Sequence, residues 1–495
     1  MRNKEKYILA LDQGTTSSRS IVFDEAFQAV GTSQKEFKQI YPHTGWVEHD
    51  AALIWQTQLE TAKLAMASIP IINIGAIGIT NQRETTVLWN KITGKPIYNA
   101  IVWQDRRTSD FCTKLIDHGH SEMVQSKTGL IIDAYFSASK IKWVLDNVAG
   151  ARKLAKEGVL LFGTIDTWLI WNLTNGKSHI TDVSNASRTM LFDIHTLSWD
   201  QELLNLFDIP ENILPTVVDS GGALAVTDAD IFGAEIPLTG IMGDQQSALF
   251  GQLCVHKGMV KTTYGTGCFL MLNTGKEVIR SSHKMISTIG WKIGTELNYA
   301  LEGSVFVGGA VIQWLRDEMK FFIEAAHSEL LAEAAADNGG VFFVPALTGL
   351  GAPYWDANAT GAIFGLTRST TKANLTRAAL ESICFQVNDV LNAMNQDVDF
   401  DISEIRADGG AAANSLLIQF QSDISSVNVI RPTQLETTAL GAAFMASIGL
   451  GINTIDSLQQ KWAIEKTFTP TMESSKQSHL IKKWNKAVNR SLDWY

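Results

Sequence analysis

Cysteine is scarce and scattered. Cys112, Cys254, Cys268 and Cys384 lie far apart and form no CxxC pair. That excludes a disulfide framework and a thiolate metal or redox motif, and fits buried thiols in a reducing compartment. No His and Cys residues share metal-ligand spacing; His118 and His120 read as surface-loop residues. Long apolar runs are missing too, and nothing approaches the about 18 residues of a membrane-spanning helix. The opening MRNKEK turns apolar at Tyr7, but Asp12 cuts the run after five residues, too short for the core of a secretory leader. The expected location is therefore cytoplasmic, and the Asn-x-Thr triplets at Asn172, Asn358 and Asn374 are chance matches. Basic charge is in deficit, 41 Lys and Arg against 51 Asp and Glu for a net charge of −10. A general nucleic-acid binder is usually basic, so none is expected, although local phosphate binding stays open. Ten prolines in 495 residues fall below the usual ~5%, a composition more in keeping with a non-thermophilic source.

What is present describes a globular protein, 45% hydrophobic and 19% charged. Its length exceeds the ~250–300 residues at which single cores stop growing. Two domains are expected, residues 1–251 and 252–495, with the boundary near Gly251 to Lys257.

Tyr7 to Leu11 and Ser20 to Phe23 read as strands flanking Asp12-Gln13-Gly14-Thr15-Thr16-Ser17-Ser18-Arg19. Consecutive backbone N–H groups and hydroxyls in such a hairpin form an anion-binding concavity. Asp12 beside a bound phosphate calls for a hard cation such as Mg²⁺ between them. A polar hairpin tip without ligand has the same pattern. About 250 residues on, the pattern returns: Met259 to Thr263, the turn Tyr264-Gly265-Thr266-Gly267-Cys268, then Phe269 to Leu272. Two such hairpins facing each other would clamp a polyphosphate. Neither matches GxxxxGK[ST] or GxGxxG, so a P-loop and a dinucleotide fingerprint are excluded.

Other polar groups stand just after buried strands, where open α/β sheets bind ligands. Ile71 to Thr80 leads into Asn81-Gln82-Arg83-Glu84, and Ile101 to Trp103 into Gln104-Asp105-Arg106-Arg107. Adjacent Arg83 and Glu84 can together donate to and accept from neighbouring hydroxyls of a small polyol, with Trp103 against its carbons; a solvated ion pair and a core tryptophan are the plainer alternative. Ile241 to Phe250 is a strand, Gly243, then Asp244 at a helix start, either a helix cap or a general base. Asp50 to Ala67 has helical spacing, with Leu53, Ile54, Leu59, Leu64 and Met66 toward one side. Tyr135 to Asn147 enters a helix with Ser137 or Ser139 as cap, and Gly303 to Gly309 opens a helix through Leu315. After the strand Ile405 to Ala407, Asp408-Gly409-Gly410-Ala411 would let a flat ring approach the backbone.

Together, ALDQGTTSSR, TNQRETT, WQDRR, GDQQSALFGQ, YGTGCF and DGGAAAN resemble the FGGY carbohydrate kinase family of the actin–Hsp70–hexokinase superfamily, end to end. Tyr135–Asn147 and Gly361–Glu381 match its two signature stretches. The resemblance implies two ribonuclease H-like α/β ATPase domains with the active site in the cleft between them. It implies ATP-dependent phosphorylation of glycerol to sn-glycerol 3-phosphate, with Mg²⁺ held by Asp12. It assigns Arg83, Glu84, Tyr135, Asp244 and Gln245 to the polyol hydroxyls, Trp103 and Phe269 to its apolar wall, and Asp244 as general base. Thr15, Thr16, Ser17, Arg19 and Thr266 would hold phosphates; Gly309, Gln313, Gly410 and Asn414 would contact the nucleotide. An ordinary carboxylate pKa would suffice, since the hydroxyl proton leaves late in a loose transition state. A homodimer or homotetramer is expected.

The loop Asp230–Ile236 departs from family patterns. Glu235 stands where enteric relatives carry an arginine for fructose 1,6-bisphosphate, and Asp230 where many Gram-positive relatives carry a phosphorylated histidine. Both controls are expected to be absent or altered. The competing readings are a family member acting on another polyol or ketose, an actin- or Hsp70-like ATPase without a small acceptor, and a non-catalytic regulator.

Overall fold

The computed structural model describes residues 6–494. The leader-like first five residues lie outside the described residues, as does Tyr495. Two sheets organise the chain, and each begins with one of the expected hairpins. The first strand, β1 (Tyr7–Gln13), turns into β2 (Ser17–Phe23) and β3 (Ala29–Glu36), all antiparallel. Ser17, Ser18 and Arg19 thus stand in β2 rather than in the turn, and Arg19 faces Asp12 across the ladder.

Helix α1 (Ala51–Ala65) is capped by Asp50, whose side chain accepts from the N–H groups of Ala52 and Leu53. Its buried face is not the apolar stripe expected. Leu64 is exposed, while Ile54, Thr57, Gln58 and Thr61 point inward. The reason is a polar seam. Thr57 and Thr61 hydroxyls bond those of Ser18 and Ser20, both at 2.9 Å, and Gln58 Nε2 donates to the Arg19 carbonyl at 2.9 Å. Each inward side chain finds a partner, with Gln58 Oε1 alone left unpaired in this seam among the described residues, so burial carries little penalty.

The chain crosses to β4 (Ile74–Asn81), parallel to β1; Ile71–Asn73, expected within that strand, forms a 3-10 turn. Helix α2 (Ser137–Asn147) follows; its cap position is Phe136, with no side-chain cap bond. Ser137 and Ser139 do not cap because their hydroxyls serve the Glu84 carbonyl and Thr108 instead. Then come β5 (Gly221–Val226), β6 (Pro237–Gly243) and α3 (Asp244–Gly251). The sheet order is β5-β6-β4-β1-β2-β3, with β6, β4 and β1 parallel.

The second half repeats the scheme with β7 (Met259–Tyr264), β8 (Cys268–Gly275), β9 (Ile286–Ile293) and β10 (Glu296–Val305). Residues 303–305 end β10, so the helix expected from Gly303 starts later, as α4 (Ala310–Asp317). Helix α5 (Lys372–Asp397), β11 (Glu404–Asp408), α6 (Ser415–Ser425), β12 (Val429–Pro432), α7 (Thr437–Gly449) and β13 (Ile464–Phe468) complete it. The sheet order is β9-β10-β8-β7-β11-β12-β13, with β7, β11 and β12 parallel. Thus β10-β8-β7-β11-β12 copies β3-β2-β1-β4-β6: three antiparallel strands, then two parallel ones.

Helix α7, late in the chain, packs on the first sheet. Ala439, Ala442, Phe444 and Met445 share a core cluster with Ile8, Ala10, Met242, Leu249 and Phe250. α3 and α7 meet at backbone distance: a Cβ on Gly251 would lie 2.0 Å from the Thr437 carbonyl oxygen, and one on Gly441 1.8 Å from that of Ser247. This contact joins the helix that follows β6 to the helix that follows β12. All four cysteines are free and buried, as their scatter suggested, and no helix of the described residues is long and apolar enough to cross a membrane.

Candidate active site

At the first hairpin, Gly14 N–H donates to the Ser17 carbonyl at 2.9 Å, closing a tight turn. Glutamines brace it: Gln13 and Gln82 side chains both reach the Gly14 carbonyl, at 2.8 and 3.1 Å, and Gln39 that of Thr15 at 3.0 Å. The Thr15, Thr16 and Ser17 hydroxyls ride on this braced loop. Arg19 donates to Asp12 Oδ2 through Nη2 at 2.7 Å and Nε at 3.2 Å, and also pairs with Glu436 at 2.5 Å. Burial pushes the Asp12 carboxyl up, against the pull of Arg19. Among the described residues no three His, Cys, Asp or Glu side chains could jointly hold a metal. A cation at Asp12 would therefore take its other ligands from phosphate and water, which suits Mg²⁺.

The second hairpin closes through Gly265 N–H to the Gly267 carbonyl at 2.9 Å. The Gly308 and Ala310 N–H groups donate to the Thr266 carbonyl, and that of Gly309 to the Gly265 carbonyl. Thr266 and Gly309 are therefore adjacent, with Gln313 exposed one turn into α4. On the neighbouring strand end, a Cβ on Gly410 would meet nothing within 4 Å. Asn414 Oδ1 caps α6 through Leu417 N–H at 2.9 Å, leaving its Nδ2 for a ligand.

Asp244 opens α3 at the end of β6. The helix cap is Gly243, not Asp244; the Asp244 carboxylate accepts from the Gln245 N–H through Oδ1 at 2.7 Å, and its side chain stays 31% exposed. Loss of solvation pushes it up to about 6, with Arg83 opposing and Glu84 adding; this departs from the ordinary value expected. Gly243 is required here, since a Cβ would lie 2.8 Å from Arg83 Cγ and Cδ. Gln245 accepts from the buried Lys261 Nζ at 2.7 Å, which also donates to Thr263 at 2.9 Å.

Arg83 and Glu84 do not simply pair with each other; their closest approach is 3.8 Å. Arg83 makes a two-pronged ion pair with Glu302 of β10, at 2.6 and 2.7 Å, and its Nε lies 3.3 Å from Asp244 Oδ1. Arg188 donates to Glu84 Oε1 at 2.7 Å and to Glu302 Oε1 at 3.3 Å. All four side chains are buried. Burial opposes ionisation of Glu302, but Arg188 and Arg83 bring its carboxyl down to about 2. Glu84 sits in the left-handed region at φ 59°, a strained conformation for a side chain of that size. The Ser137 and Thr86 hydroxyls hold it there through its carbonyl, each at 3.0 Å. Among the described residues nothing hydrogen-bonds to Glu84 Oε2.

Trp103 stands edge-on to Tyr135, ring centres 5.6 Å apart, and donates to the Thr15 hydroxyl at 2.9 Å. The two rings are thereby tied to the first hairpin. Lys140, fully buried, donates to the carbonyls of Ala134, Tyr135 and Phe136 and so fixes the loop carrying Tyr135. Phe269 is half-buried on β8, opposite Thr263 and Ser304 in the ladders.

The family models of the FGGY carbohydrate kinases match residues 7–251 with their N-terminal domain and residues 260–450 with their C-terminal domain. The chain belongs to the FGGY family of carbohydrate kinases. Among curated FGGY relatives it is 56% identical to the glycerol kinase of Parabacteroides distasonis, covering 100% of both chains. It is 55% identical to glycerol kinase 2 of Thermotoga maritima over 99% of each. Its fold matches that of Plasmodium falciparum glycerol kinase with ADP at a TM-score of 0.93 and 36% identity, covering 99% of this chain and 98% of that one. A Lactobacillus acidophilus gluconate kinase matches at a TM-score of 0.88 with 23% identity, which speaks to the FGGY fold alone.

Sequence reasoning missed Arg188, Glu302, Lys261 and Lys140. One signal was available: Glu302 directly follows Tyr299-Ala300-Leu301 and Lys261 directly follows Met259-Val260 within strands, and a charge buried there survives only with a partner.

Proposed function

We infer that the chain transfers the γ-phosphoryl group of ATP to glycerol, forming sn-glycerol 3-phosphate and ADP. Full-length identity of about 55% to curated glycerol kinases supports the overall reaction. The observation that carries the residue roles is the clustering of Asp244, Arg83 and Glu84 beside the Trp103–Tyr135 wall, at the strand ends that also bear the first hairpin.

The acceptor's hydroxyls meet Glu84 Oε2 as acceptor and Arg83 as donor, with Tyr135, Asp244 and Gln245 around them. Trp103 and Phe269 face its carbons. Asp244 takes the proton of the acceptor's hydroxyl at its carboxylate oxygen, and the hydroxyl's own oxygen attacks the γ-phosphorus as the bond to the β-phosphate oxygen breaks. The Thr15, Thr16 and Ser17 hydroxyls, Arg19 and the Thr266 hairpin hold the phosphates. Gly309, Gln313, Gly410 and Asn414 hold the nucleoside. Such transfers need positioning and charge stabilisation more than covalent work by the protein. Asp12 would hold Mg²⁺, which when bound neutralises phosphate charge. Two domains, 1–251 and 252–495, would close on the substrates and exclude water.

The test is ADP release with glycerol, with xylulose, or with no acceptor. Strong glycerol dependence is expected. Equal ADP release with and without acceptor would replace this reading with that of an actin-like ATPase, and turnover with xylulose alone would discard the pocket assignment.

A further inference from the structure

We propose that Glu302 is a positioning residue for the acceptor pocket. Reaching in from the second sheet, it holds Arg83 in its working orientation, limits its approach to Asp244 to the present 3.3 Å, and makes the first half's pocket complete only when both halves are docked. The proposal rests on the reading of this cleft as a polyol-phosphorylating site.

Arg83 follows β4 of the first sheet, and Glu302 lies on β10 of the second, 219 residues away in sequence. The two-pronged geometry fixes the plane of the guanidinium as well as its position. Both carboxylate oxygens of Glu302 are committed, Oε2 to Arg83 and Oε1 to Arg83 and Arg188. Its side chain is 0% exposed. It therefore offers the acceptor no surface and acts through Arg83.

The charge count shows what it prevents. Two guanidiniums, Arg83 and Arg188, face two carboxylates, Glu84 and Glu302. Without Glu302 the cluster carries one excess positive charge in a buried setting, which is costly unless neutralised. The nearest anion outside these four already makes a one-pronged ion pair with Arg83, for Asp244 Oδ1 lies 3.3 Å from Arg83 Nε, and it is the group that would be drawn closer. Arg83 would close on Asp244, engaging the carboxylate that must take the acceptor's proton and withdrawing a donor from the acceptor's hydroxyls.

The split between the two substrates tests this. In Glu302→Gln, kcat/KM for glycerol should fall by roughly a hundredfold, as for truncation of one partner in a buried charge pair, with glycerol KM raised and kcat lowered. The KM for ATP should stay within about threefold, because the Glu302 carboxylate bonds to Arg83 and Arg188 and to neither hairpin turn, although its backbone pairs with Met271 of the second hairpin. Glu302→Asp keeps the charge but shortens the reach and should fall between Glu302→Gln and wild type. The double variant Glu302→Gln/Arg188→Met removes the excess charge and should be less impaired than the product of its single variants predicts.

Wild-type turnover that does not depend on glycerol would overturn the polyol reading itself. Glycerol-dependent wild type with Glu302→Gln unchanged in glycerol KM and kcat would overturn this proposal alone. So would a loss of melting temperature with both substrates' KM unchanged, the pattern of a purely structural residue. Should Glu302→Gln fail to fold, Glu302→Asp decides: a raised glycerol KM supports the proposal, and wild-type kinetics refute it.

Discussion

Activity should collapse as pH falls through about 6, and Asp244 is the reason. The group must be ionised to accept a proton, and burial, partly offset by Arg83, raises its carboxyl to about 6. At pH 5 about a tenth of Asp244 is ionised, so kcat/KM for glycerol should lie near a tenth of its plateau. An ordinary aspartate at 3.8 would be more than nine-tenths ionised there, by the same relation, and would show almost no loss. Asp244→Asn should remove the acid limb and lower kcat by ~10²–10⁴, equivalent to about 3–5 kcal/mol of barrier. Stability should move the opposite way. A folded-state pKa above the unfolded one gives a contribution that is present below pH 3.8 and lost as pH rises through about 6. At pH 8 the wild type carries that cost and Asp244→Asn does not. The variant should then be more stable by about 1–2 kcal/mol, after allowing for screening of a side chain 31% exposed. Initial rates of glycerol-dependent ADP release from pH 5 to 9, with denaturant unfolding at pH 8, measure both. A wild-type limb centred below pH 5, or Asp244→Asn within tenfold of wild type, would refute the assignment.

Trp103→Ala removes the ring that packs edge-on against Tyr135 and should raise glycerol KM about tenfold, measured by initial rates, with ATP KM little changed. In Gly410→Val the new side chain has room within the protein, so the melting temperature should hold while ADP affinity, measured by calorimetry, falls at least tenfold, since the branched side chain occupies the nucleoside's space. Asp389, raised to about 7 by burial against the Trp484 and Tyr354 hydrogen bonds, adds stability that is lost as pH rises through 7. Asp389→Asn should flatten the fall in melting temperature between pH 6 and 8.5, an effect of roughly 1.4 kcal/mol over that range. Fructose 1,6-bisphosphate at millimolar levels should leave the rate unchanged, because the loop it would need exposes Asp230 and Glu235; clear inhibition would refute this.

The hairpins were legible because their information is local. Two apolar strands around a Gly- and hydroxyl-rich turn leave the backbone few alternatives. Their recurrence in the second half foreshadowed the copied strand order. The strands ending at Asp408 and Gly243 were legible for the same reason. The buried face of α1 was not, since periodicity assumes that inward means apolar, and here the inward side is Thr57, Gln58 and Thr61 bonded to β2. Nor were the caps of α2, because Ser137 and Ser139 are claimed by tertiary partners that no local pattern announces. The charge cluster was hidden by distance. Glu84 could be read beside Arg83, but Arg188 lies 104 residues from Glu84, and Glu302 219 from Arg83.

The electrostatics of the cleft explain how a protein of net charge −10 can seat a polyanion. Its cations are not free charges awaiting phosphate. Arg19 is held by Asp12 and Glu436, Lys261 faces Asp408 and Asp244, and Arg83 and Arg188 are matched by Glu84 and Glu302. On the proposed reading, attraction for phosphate would come chiefly from oriented N–H and hydroxyl groups of the two braced hairpins, whose dipoles need no counter-charge, and a divalent ion at Asp12 would add to it. Such a site is preorganised, because neutralised side chains locked by hydrogen bonds do not reorient when charge develops on the transferring group. It also makes the pairings interdependent. Removing any one acid frees a cation to seek the next nearest carboxylate, and at Arg83 that carboxylate is Asp244, 3.3 Å away.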